Sequence, residues 1–473
     1  MNVVNQLELH VVMFPFLAFG HINPFVQLSN KLSSHGVRVS FFSAPGNIDR
    51  IKTTLNLTPT TQIIPLTIPP VDGLPPGLDS TADTTPLTSE LLKIALDQMQ
   101  PQIKILLSEL TPHFVFYDFG QQWLPPLASQ LGIKTIFFSI FGALCTAFVT
   151  IPGRLSDHDQ LKTSPTLEEM KRPPPGFPQT SVTSLRTFEA RDFLYVFKSF
   201  HGGSSVYDRV LTCLKGCDAI LVKSCREMEA PYIDFVTTQF DKPVLLAGPV
   251  IPEPPTGMLE ERWDKWLGQF PAKSVVFCSF GSEAFLKDDQ IRELVLGLEL
   301  TGLPFFMVLK FPADVDGSAE LDSALPEGFL ERVKDRGVVY AGWVQQQHIL
   351  AHVSVGCCLC HAGRSSVIET LVNDCQLVML TNKGDQFLNS KLVAGDLKAG
   401  LEVNRRDEDG YFCKEDICMP LRQLMVEVDK EPGKSVRANQ EKWKMFLLNK
   451  EIQNKFVTDL VKGMKTMDGM YNI

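Results

Sequence analysis

Two doubly wound α/β domains facing a cleft are the architecture this sequence predicts, and three observations predict it. Its 473 residues exceed what a single hydrophobic core usually organises. Short apolar runs rich in β-branched and aromatic residues alternate with amphipathic segments through both halves, the rhythm of a parallel sheet with crossover helices. Between the halves, "LLAGPVIPEPPTGMLE" is dense in Pro and Gly and has no period, as a linker should be. The expected division is an N-terminal domain over 1–247, a linker over 248–258 and a C-terminal domain over 259–473, with the last helix packing back on the N-terminal domain.

The elements follow in order. "LHVVMFPF", "INPFVQLSNKLSSHG" and "VRVSFFSA" read as strand, helix ending in Gly, strand; "HFVFYDF", "QQWLPPLASQLG" and "KTIFFSIF" repeat the pattern. The Pro-rich "KRPPPGFPQTSV" interrupts it and reads as a long surface excursion near the open side of the first domain. The rhythm resumes with "SVVFCSFGS", "PFFMVLKF", "GVVYAGW", "VGCCLCH" and "QLVML", and the chain closes in helical, mixed-charge sequence. Ligands of doubly wound sheets sit beyond the carboxyl ends of the strands, so two facing Rossmann-like domains bind their substrates between them.

Composition removes several function classes. The apolar fraction of 44% is ample for packed cores, while a formal charge of −9 without a dense Lys/Arg run excludes a nucleic-acid footprint. No uninterrupted apolar stretch of about 18 residues predicts a transmembrane span. The opening "MNVVNQLELHVVMFPFLAFG" lacks the basic region of a signal peptide and reads as a first buried strand. Eleven scattered cysteines fit reduced thiols and a cytoplasmic protein. "CCLCH" at 357–361 satisfies the C-x-x-C-H spelling of haem attachment, but it continues an apolar strand and has no second Cys/His pair, so neither haem nor metal is expected. "DVD" at 314–316 spells a metal-binding D-x-D and reads as surface loop.

Chemistry concentrates at three strand ends. In "LCHAGRSSVIE", residues 359–369, a strand gives way to His361, the turn Ala362-Gly363 and a helix expected to begin near Ser365 or Ser366. The unpaired amides and positive dipole end of such a helix attract a diphosphate, to which His361 adds a donor. Ser366 and Glu369 also spell a capping box in which Glu369 serves only the helix end, and locally the two readings stand level. "VVFCSFGSE" ends at Phe280-Gly281-Ser282, where glycine lets a ligand approach the backbone, although a plain strand-ending turn looks the same. In "FPFLAFGHINPF", His21 follows the first strand where the sheet opens to the cleft, and an imidazole there can take a proton from a hydroxyl at neutral pH. Phe16, Phe19, Phe119 and Phe141 end first-domain strands, where a pocket for a flat phenolic ring and plain core packing explain them equally well.

Residues 343–386, "WVQQQHILAHVSVGCCLCHAGRSSVIETLVNDCQLVMLTNKGDQ", resemble the signature box of plant small-molecule UDP-glycosyltransferases: W-x-P-Q, H-x-x-x-G, H-C-G-W-N-S-x-x-E, D-Q. Trp343, Gln346, Leu350, His352, Gly356, His361, Gly363, Ser366, Glu369, Asp385 and Gln386 fall in register. The resemblance implies a GT-B fold, a UDP-sugar as donor substrate, and no cofactor or metal. It implies that Trp343 stacks on uracil beside Val344 and Gln346, and that Glu369 accepts from the ribose. Ser279, Gly281, Ser282, His361, Gly363, Ser365 and Ser366 would surround the diphosphate, while Asp385 and Gln386 read the sugar. His21 matches the family's base and Asp118 its partner carboxylate, which orients the imidazole and stabilises the imidazolium; Asp118 as a mere cap of the following helix is the plain alternative.

Departures from the box are Gln345 for Pro, Ala362 for Cys, Ser365 for Asn, Asp374-Cys375-Gln376 for Gly-Val-Pro, and Arg364 for Trp. Arg364 stands where the family faces the donor sugar. A guanidinium there pairs with a uronate carboxylate, hydrogen-bonds a neutral sugar, or points to solvent.

The likeness extends over "FLAFGHINPFVQLSNKLSSHGV", "IPPVDGLPPGLDST", "FPQTSVTSLRTFEARDFLYVFKSF" and "VNRRDEDGYF", to family members that add a sugar to the sugar of a flavonoid glycoside. It implies inverting transfer of rhamnose to the glucose of an anthocyanidin or flavonoid 3-O-glucoside, by a monomer acting on small molecules. UDP-glucuronate, UDP-xylose or UDP-glucose as donor, or another glycosylated acceptor, is the alternative. A non-catalytic nucleotide-sugar binder would lack His21 or Asp118. A dinucleotide oxidoreductase would carry G-x-G-x-x-G after its first strand with an acidic residue about 20 positions on, and the sequence has no such stretch.

Overall fold

The structure, a computed structural model, describes residues 8–81, 86–155, 163–281, 285–311 and 315–470. Seven parallel strands build the first sheet: β1 (His10–Phe14), β2 (Arg38–Ser43), β3 (Thr61–Pro65), β4 (Phe114–Tyr117), β5 (Lys134–Ser139), β6 (Ala219–Val222) and β7 (Val244–Leu246), in the order β3-β2-β1-β4-β5-β6-β7. Six build the second: β8 (Val275–Ser279), β9 (Phe305–Leu309), β10 (Gly337–Ala341), β11 (Val355–Cys360), β12 (Gln376–Met379) and β13 (Leu401–Glu402), in the order β10-β9-β8-β11-β12-β13. Crossover helices cover both faces of a parallel sheet, which is why central strands such as HVVMF, FVFY and VVFCS are buried at every residue. The strand order reverses between β1 and β4, and again between β8 and β11.

Alternation along the strands divides the core. Val11 and Met13 of β1 join Phe25 and Leu28 of the helix Phe19–Ser34, while Val12 and Phe14 face the opposite layer. Val457, Leu460 and Met464 of the helix Lys450–Met467 complete the first of these clusters, so the last long helix lies on the first sheet. Its Phe456 ring occupies the place where a Cβ on Gly248 would stand, only 2.6 Å from the ring edge. One face of the second sheet packs on the helices Asp288–Thr301 and Lys414–Met425 through Leu294, Leu298, Ile417 and Leu421. The remaining cluster runs without a break from Phe14 of the first sheet to Phe277 and Cys360 of the second.

Several sequence expectations meet a physical answer here. The Pro-rich excursion is not merely superficial: Phe177 packs among Phe148, Tyr232 and Phe235 at ring distances of 5.5, 5.6 and 6.0 Å, and Ser181 donates to Asp396 of the second half at 2.6 Å. Cys357 and Cys360 point into cores on opposite faces of the second sheet, as residues three apart on a strand must, so they cannot hold one haem between them. Asp316 caps the helix Gly317–Ala324 by accepting from Ser318 N at 3.0 Å, whereas Asp314 lies outside the described residues. All eleven cysteines are free thiols. Among the described residues no helix is long and apolar enough to cross a membrane.

If the last helix holds the first sheet, Leu460→Ala should destabilise it by about 2–5 kcal/mol, the usual cost of emptying a buried leucine site. Urea unfolding followed by tryptophan fluorescence and circular dichroism checks this, and an unmoved midpoint would detach the helix from that role.

Candidate active site

The first reversal of strand order builds a proton-accepting pair. After β1 the chain runs through Pro15 to Ala18 into the helix Phe19–Ser34, which puts His21 in the first turn with its N–H on Ala18 O at 2.8 Å. Asp118 directly follows β4, the neighbouring strand. Its Oδ2 lies 2.6 Å from His21 Nδ1. The carboxylate is itself held: Oδ1 accepts from Phe119 N at 2.7 Å, and Gln121 Oε1 accepts from Asp118 N at 3.2 Å. Asp118 therefore both caps the short turn Phe119–Gln121 and pairs with the histidine, so the two sequence readings describe one residue. An ionised carboxylate at Nδ1 keeps the proton there and makes Nε2 the basic atom of the ring.

Aromatic rings wall this pair. Phe16, Phe119 and Phe141 stand 5.4, 5.4 and 5.7 Å from the imidazole, centroid to centroid. Phe19 does not join them; its ring lies under the Arg50 guanidinium at 3.6 Å and packs into the other layer.

At the second reversal, β8 ends in Phe280-Gly281 and β11 in His361. The His361 imidazole is wedged between two glycines. A Cβ on Gly281 would stand 2.9 Å from its Cε1, and one on Gly363 2.5 Å from its Nε2, so any larger residue at either position would displace the ring. Burial and the Lys383 ammonium push the His361 pKa down to about 4, so the ring is neutral at pH 7 and carries a single N–H. Ser282 lies outside the described residues.

Behind His361 the helix Arg364–Val372 starts earlier than expected, with Gly363 as its N-cap. Arg364, Ser365 and Ser366 thus form the first turn, whose amides have no partner within the helix. The capping-box reading of Ser366 and Glu369 fails for the same reason: Glu369 is a turn too far along to reach the cap. Its carboxylate instead takes Gln346 Nε2 at 2.8 Å and Gln347 Nε2 at 3.5 Å. Gln346 Oε1 in turn accepts from Ser279 Oγ at 3.1 Å, which links the end of β8 to the two helices that follow β10 and β11. Burial raises the Glu369 pKa.

Trp343, three residues before Gln346, is 64% exposed and so is not a core residue, while the next residue, Val344, is buried. Gln345, at the family's proline position, accepts from Glu260 N at 2.7 Å and donates to Met258 O at 3.0 Å. Its amide ties the segment to the connection between the halves, which a proline ring could not do.

Asp385 opens the helix Asp385–Lys391 and is half-buried, with Asn389 Nδ2 donating to its Oδ2 at 2.8 Å. Burial raises its pKa; Asn389, then the charges of His21 and Arg364, pull it back down. Gly384, the residue before Asp385, donates its N–H to Asp192 Oδ2 of the first half at 2.7 Å, so the start of this helix lies against the first half. Gln386 Oε1 accepts from Asn382 N at 2.9 Å and Lys383 N at 3.1 Å, so its carbonyl shapes the turn and its amide nitrogen is the group it can offer a ligand.

Arg364 is the clearest correction. The side chain is buried, with Nη2 donating to Glu229 Oε2 at 2.6 Å and to Ser224 Oγ at 2.9 Å, and Nε to Lys223 O at 3.2 Å. Glu229 Oε1 also accepts from Leu144 N at 2.9 Å. The guanidinium is thus paired with a buried carboxylate of the first half and turned away from solvent. Sequence reasoning missed Glu229, which lies in "CREMEAPY". Pro231 was the available signal: it marks the kink at Glu229, whose φ and ψ of −140° and 26° leave the helical range.

With this geometry in place, comparison identifies the class. Residues 259–427 match the family model described as UDP-glucoronosyl and UDP-glucosyl transferase. The chain is 65% identical over 459 residues to the anthocyanidin-3-O-glucoside rhamnosyltransferase of Petunia hybrida, covering 97% of this chain and 96% of that one. It is 57% identical over 465 residues to UDP-glycosyltransferase 79A6 of Glycine max, covering 98% of each. Among solved structures, Glycyrrhiza uralensis UGT73P12, complexed with glycyrrhetinic acid 3-O-monoglucuronide, superposes with a TM-score of 0.77 at 21% identity over 98% of this chain and 97% of that one. Arabidopsis thaliana UGT89C1, complexed with UDP-L-rhamnose, gives 0.72 at 22% identity over 97% and 99%. The fold is GT-B, and the chain belongs to the UDP-glycosyltransferase family.

The buried pair yields a stability test. Glu229→Ala should cost about 3–5 kcal/mol, because it strands the guanidinium without a partner. The double variant Glu229→Met with Arg364→Met should cost less than Glu229→Ala alone. Thermal melts of wild type and the two variants decide, and equal melting points for wild type and Glu229→Ala would mean the pair is not formed in solution.

Proposed function

We propose that the chain transfers rhamnose from UDP-rhamnose to the glucose of an anthocyanidin or flavonoid 3-O-glucoside, with inversion, through His21 as general base. The observation that carries the mechanism is the His21–Asp118 pair, Nδ1 to Oδ2 at 2.6 Å, beyond the carboxyl ends of β1 and β4. Donor and acceptor are carried by the name of the Petunia relative at 65% identity over nearly the whole chain. The occupied Arg364 removes the one feature that favoured a uronate donor.

On this reading the acceptor hydroxyl gives its proton to His21 Nε2 while its oxygen attacks the anomeric carbon. The bond from that carbon to the diphosphate breaks as UDP leaves on the opposite face, and configuration inverts. Asp118 stabilises the imidazolium that forms. The amides of Arg364–Ser366, the single N–H of His361 and the Ser366 hydroxyl receive the charge growing on UDP, which is why we assign neither a cofactor nor a metal. Trp343, with Val344 next in the chain, would hold uracil, Gln346 and Glu369 the nucleoside, and Asp385 and Gln386 the sugar. The rings around His21 suit a flat phenolic acceptor. Free thiols throughout favour a cytoplasmic setting, and we take the active form to be a monomer working on small molecules.

His21→Ala should lower transfer by about 10²–10⁴-fold with UDP affinity unchanged by calorimetry; retained turnover removes His21 as base. Glu369→Ala should weaken UDP binding about tenfold to a hundredfold, the worth of hydrogen bonds to a charged group, and unchanged affinity would confine Glu369 to its contacts with Gln346 and Gln347. The assay for the reaction offers an anthocyanidin 3-O-glucoside and its aglycone with UDP-rhamnose, UDP-glucose, UDP-xylose and UDP-glucuronate in competition. A deoxyhexose added to the glucoside alone is expected by mass spectrometry. A different added mass replaces the donor, and product from the aglycone replaces the acceptor.

A further inference from the structure

One buried cation in the cleft has no task in the reaction just described. Lys223 follows β6 of the first sheet and is 1% exposed. Its Nζ donates to Ser365 Oγ at 3.2 Å, in the first turn of the helix Arg364–Val372 on the other domain. No carboxylate among the described residues lies within ion-pair distance of it. The charged groups that face it are Arg364, which disfavours its charge, and Glu369 and Asp385, which favour it; Glu229, next along, is committed to Arg364. Burial and Arg364 bring its pKa down to about 7.

Such a site is costly for the fold, because a buried ammonium without a counter-ion is penalised far more than a methionine of the same length. Its surroundings show where the counter-charge belongs. Ser365 supplies one of the amides assigned to the diphosphate, Glu369 the group assigned to the ribose, and Asp385 the group assigned to the sugar. In a nucleotide sugar the diphosphate is what lies between ribose and sugar.

We propose that Lys223 is a ligand of the donor's diphosphate, a cation that the acceptor-binding domain extends across the cleft to the anion held on the helix Arg364–Val372. The inference rests on the reading that this cleft binds a UDP-sugar. It assigns to the first domain a share in binding the donor and in neutralising the leaving UDP, where a divalent ion would otherwise serve.

Lys223→Met and Lys223→Arg, titrated calorimetrically with UDP and with uridine, test the assignment. For Lys223→Met, UDP affinity should fall about tenfold or more while uridine affinity stays at the wild-type value, and Lys223→Arg should retain most of the UDP affinity. At about pH 8, above the pKa of the free amine, UDP should draw a proton onto Lys223. Wild-type binding heats should then depend on buffer ionisation enthalpy in the sense of proton uptake, and those of Lys223→Met should not. Unchanged UDP affinity in Lys223→Met, or equal losses for UDP and uridine, overturns the assignment and leaves the donor reading standing. A wild-type protein that binds neither UDP nor uridine overturns the donor reading, and this one with it.

Discussion

Parallel sheets covered on both faces leave one kind of place for polar chemistry. Strands such as β1, β4, β8 and β11 are buried at every residue, and a polar side chain along them would have to find a partner inside the core. Beyond their carboxyl ends the chain escapes that demand. Where the strand order reverses, the two connections leave in opposite directions and a gap opens between them. His21 and Asp118 stand at one such gap, Gly281 and His361 at the other. The His21–Asp118 pair and the turn of Gly281 and His361 are thus two instances of one constraint, turned towards each other.

What turns them towards each other is a set of polar contacts between the halves, some of them buried. Besides Arg364 with Glu229, Lys391 reaches the buried Glu189 at 3.1 Å, Asp396 accepts from Ser181 and Tyr232, and Asp407 accepts from Thr187. Gly384, next to Asp385, donates its N–H to Asp192 at 2.7 Å. Ion pairs and charged hydrogen bonds of this kind add little to stability compared with apolar packing, but they tolerate only one register. The helix Thr187–Phe193, which supplies Thr187, Glu189 and Asp192, bridges the two halves; on the reading proposed above it sets the distance between base and donor, on which an in-line displacement would depend steeply.

The sequence displayed the strands, their order of appearance and the residues at their ends, because hydrophobic period and glycine-bearing junctions are local signals. His21 was visible in this way, whereas Asp118, Trp343, Glu369 and Asp385 became candidates through the resemblance to the glycosyltransferase family. What it could not display was partnership at a distance. Arg364 looked like a reader of ligand because its neighbours in sequence belong to the donor site, yet its partner Glu229 lies far away along the chain and inside a kinked helix. The letters of Ser366 and Glu369 spelled a cap because the true start of the helix, at Gly363, depends on how tightly the turn folds over His361. Gln345 looked like a loss of proline until its amide was seen bonded to Met258 and Glu260. Phe16 and Phe19 were indistinguishable by type, and a difference of three residues, with a helix beginning between them, sent one to His21 and the other to Arg50.

The chain passes between its two lobes twice, once after β7 and once at Asn449, where the helix Lys450–Met467 returns to the first sheet. These passages touch each other where Phe456 fills the space over Gly248. Two strands of polypeptide side by side make a spine, and lobes bound along a spine can part only as the covers of a book do, widest at the edge opposite. Any swing that admits a bulky glycoside would therefore be felt least at Gly248 and most at the outer rim of the cleft.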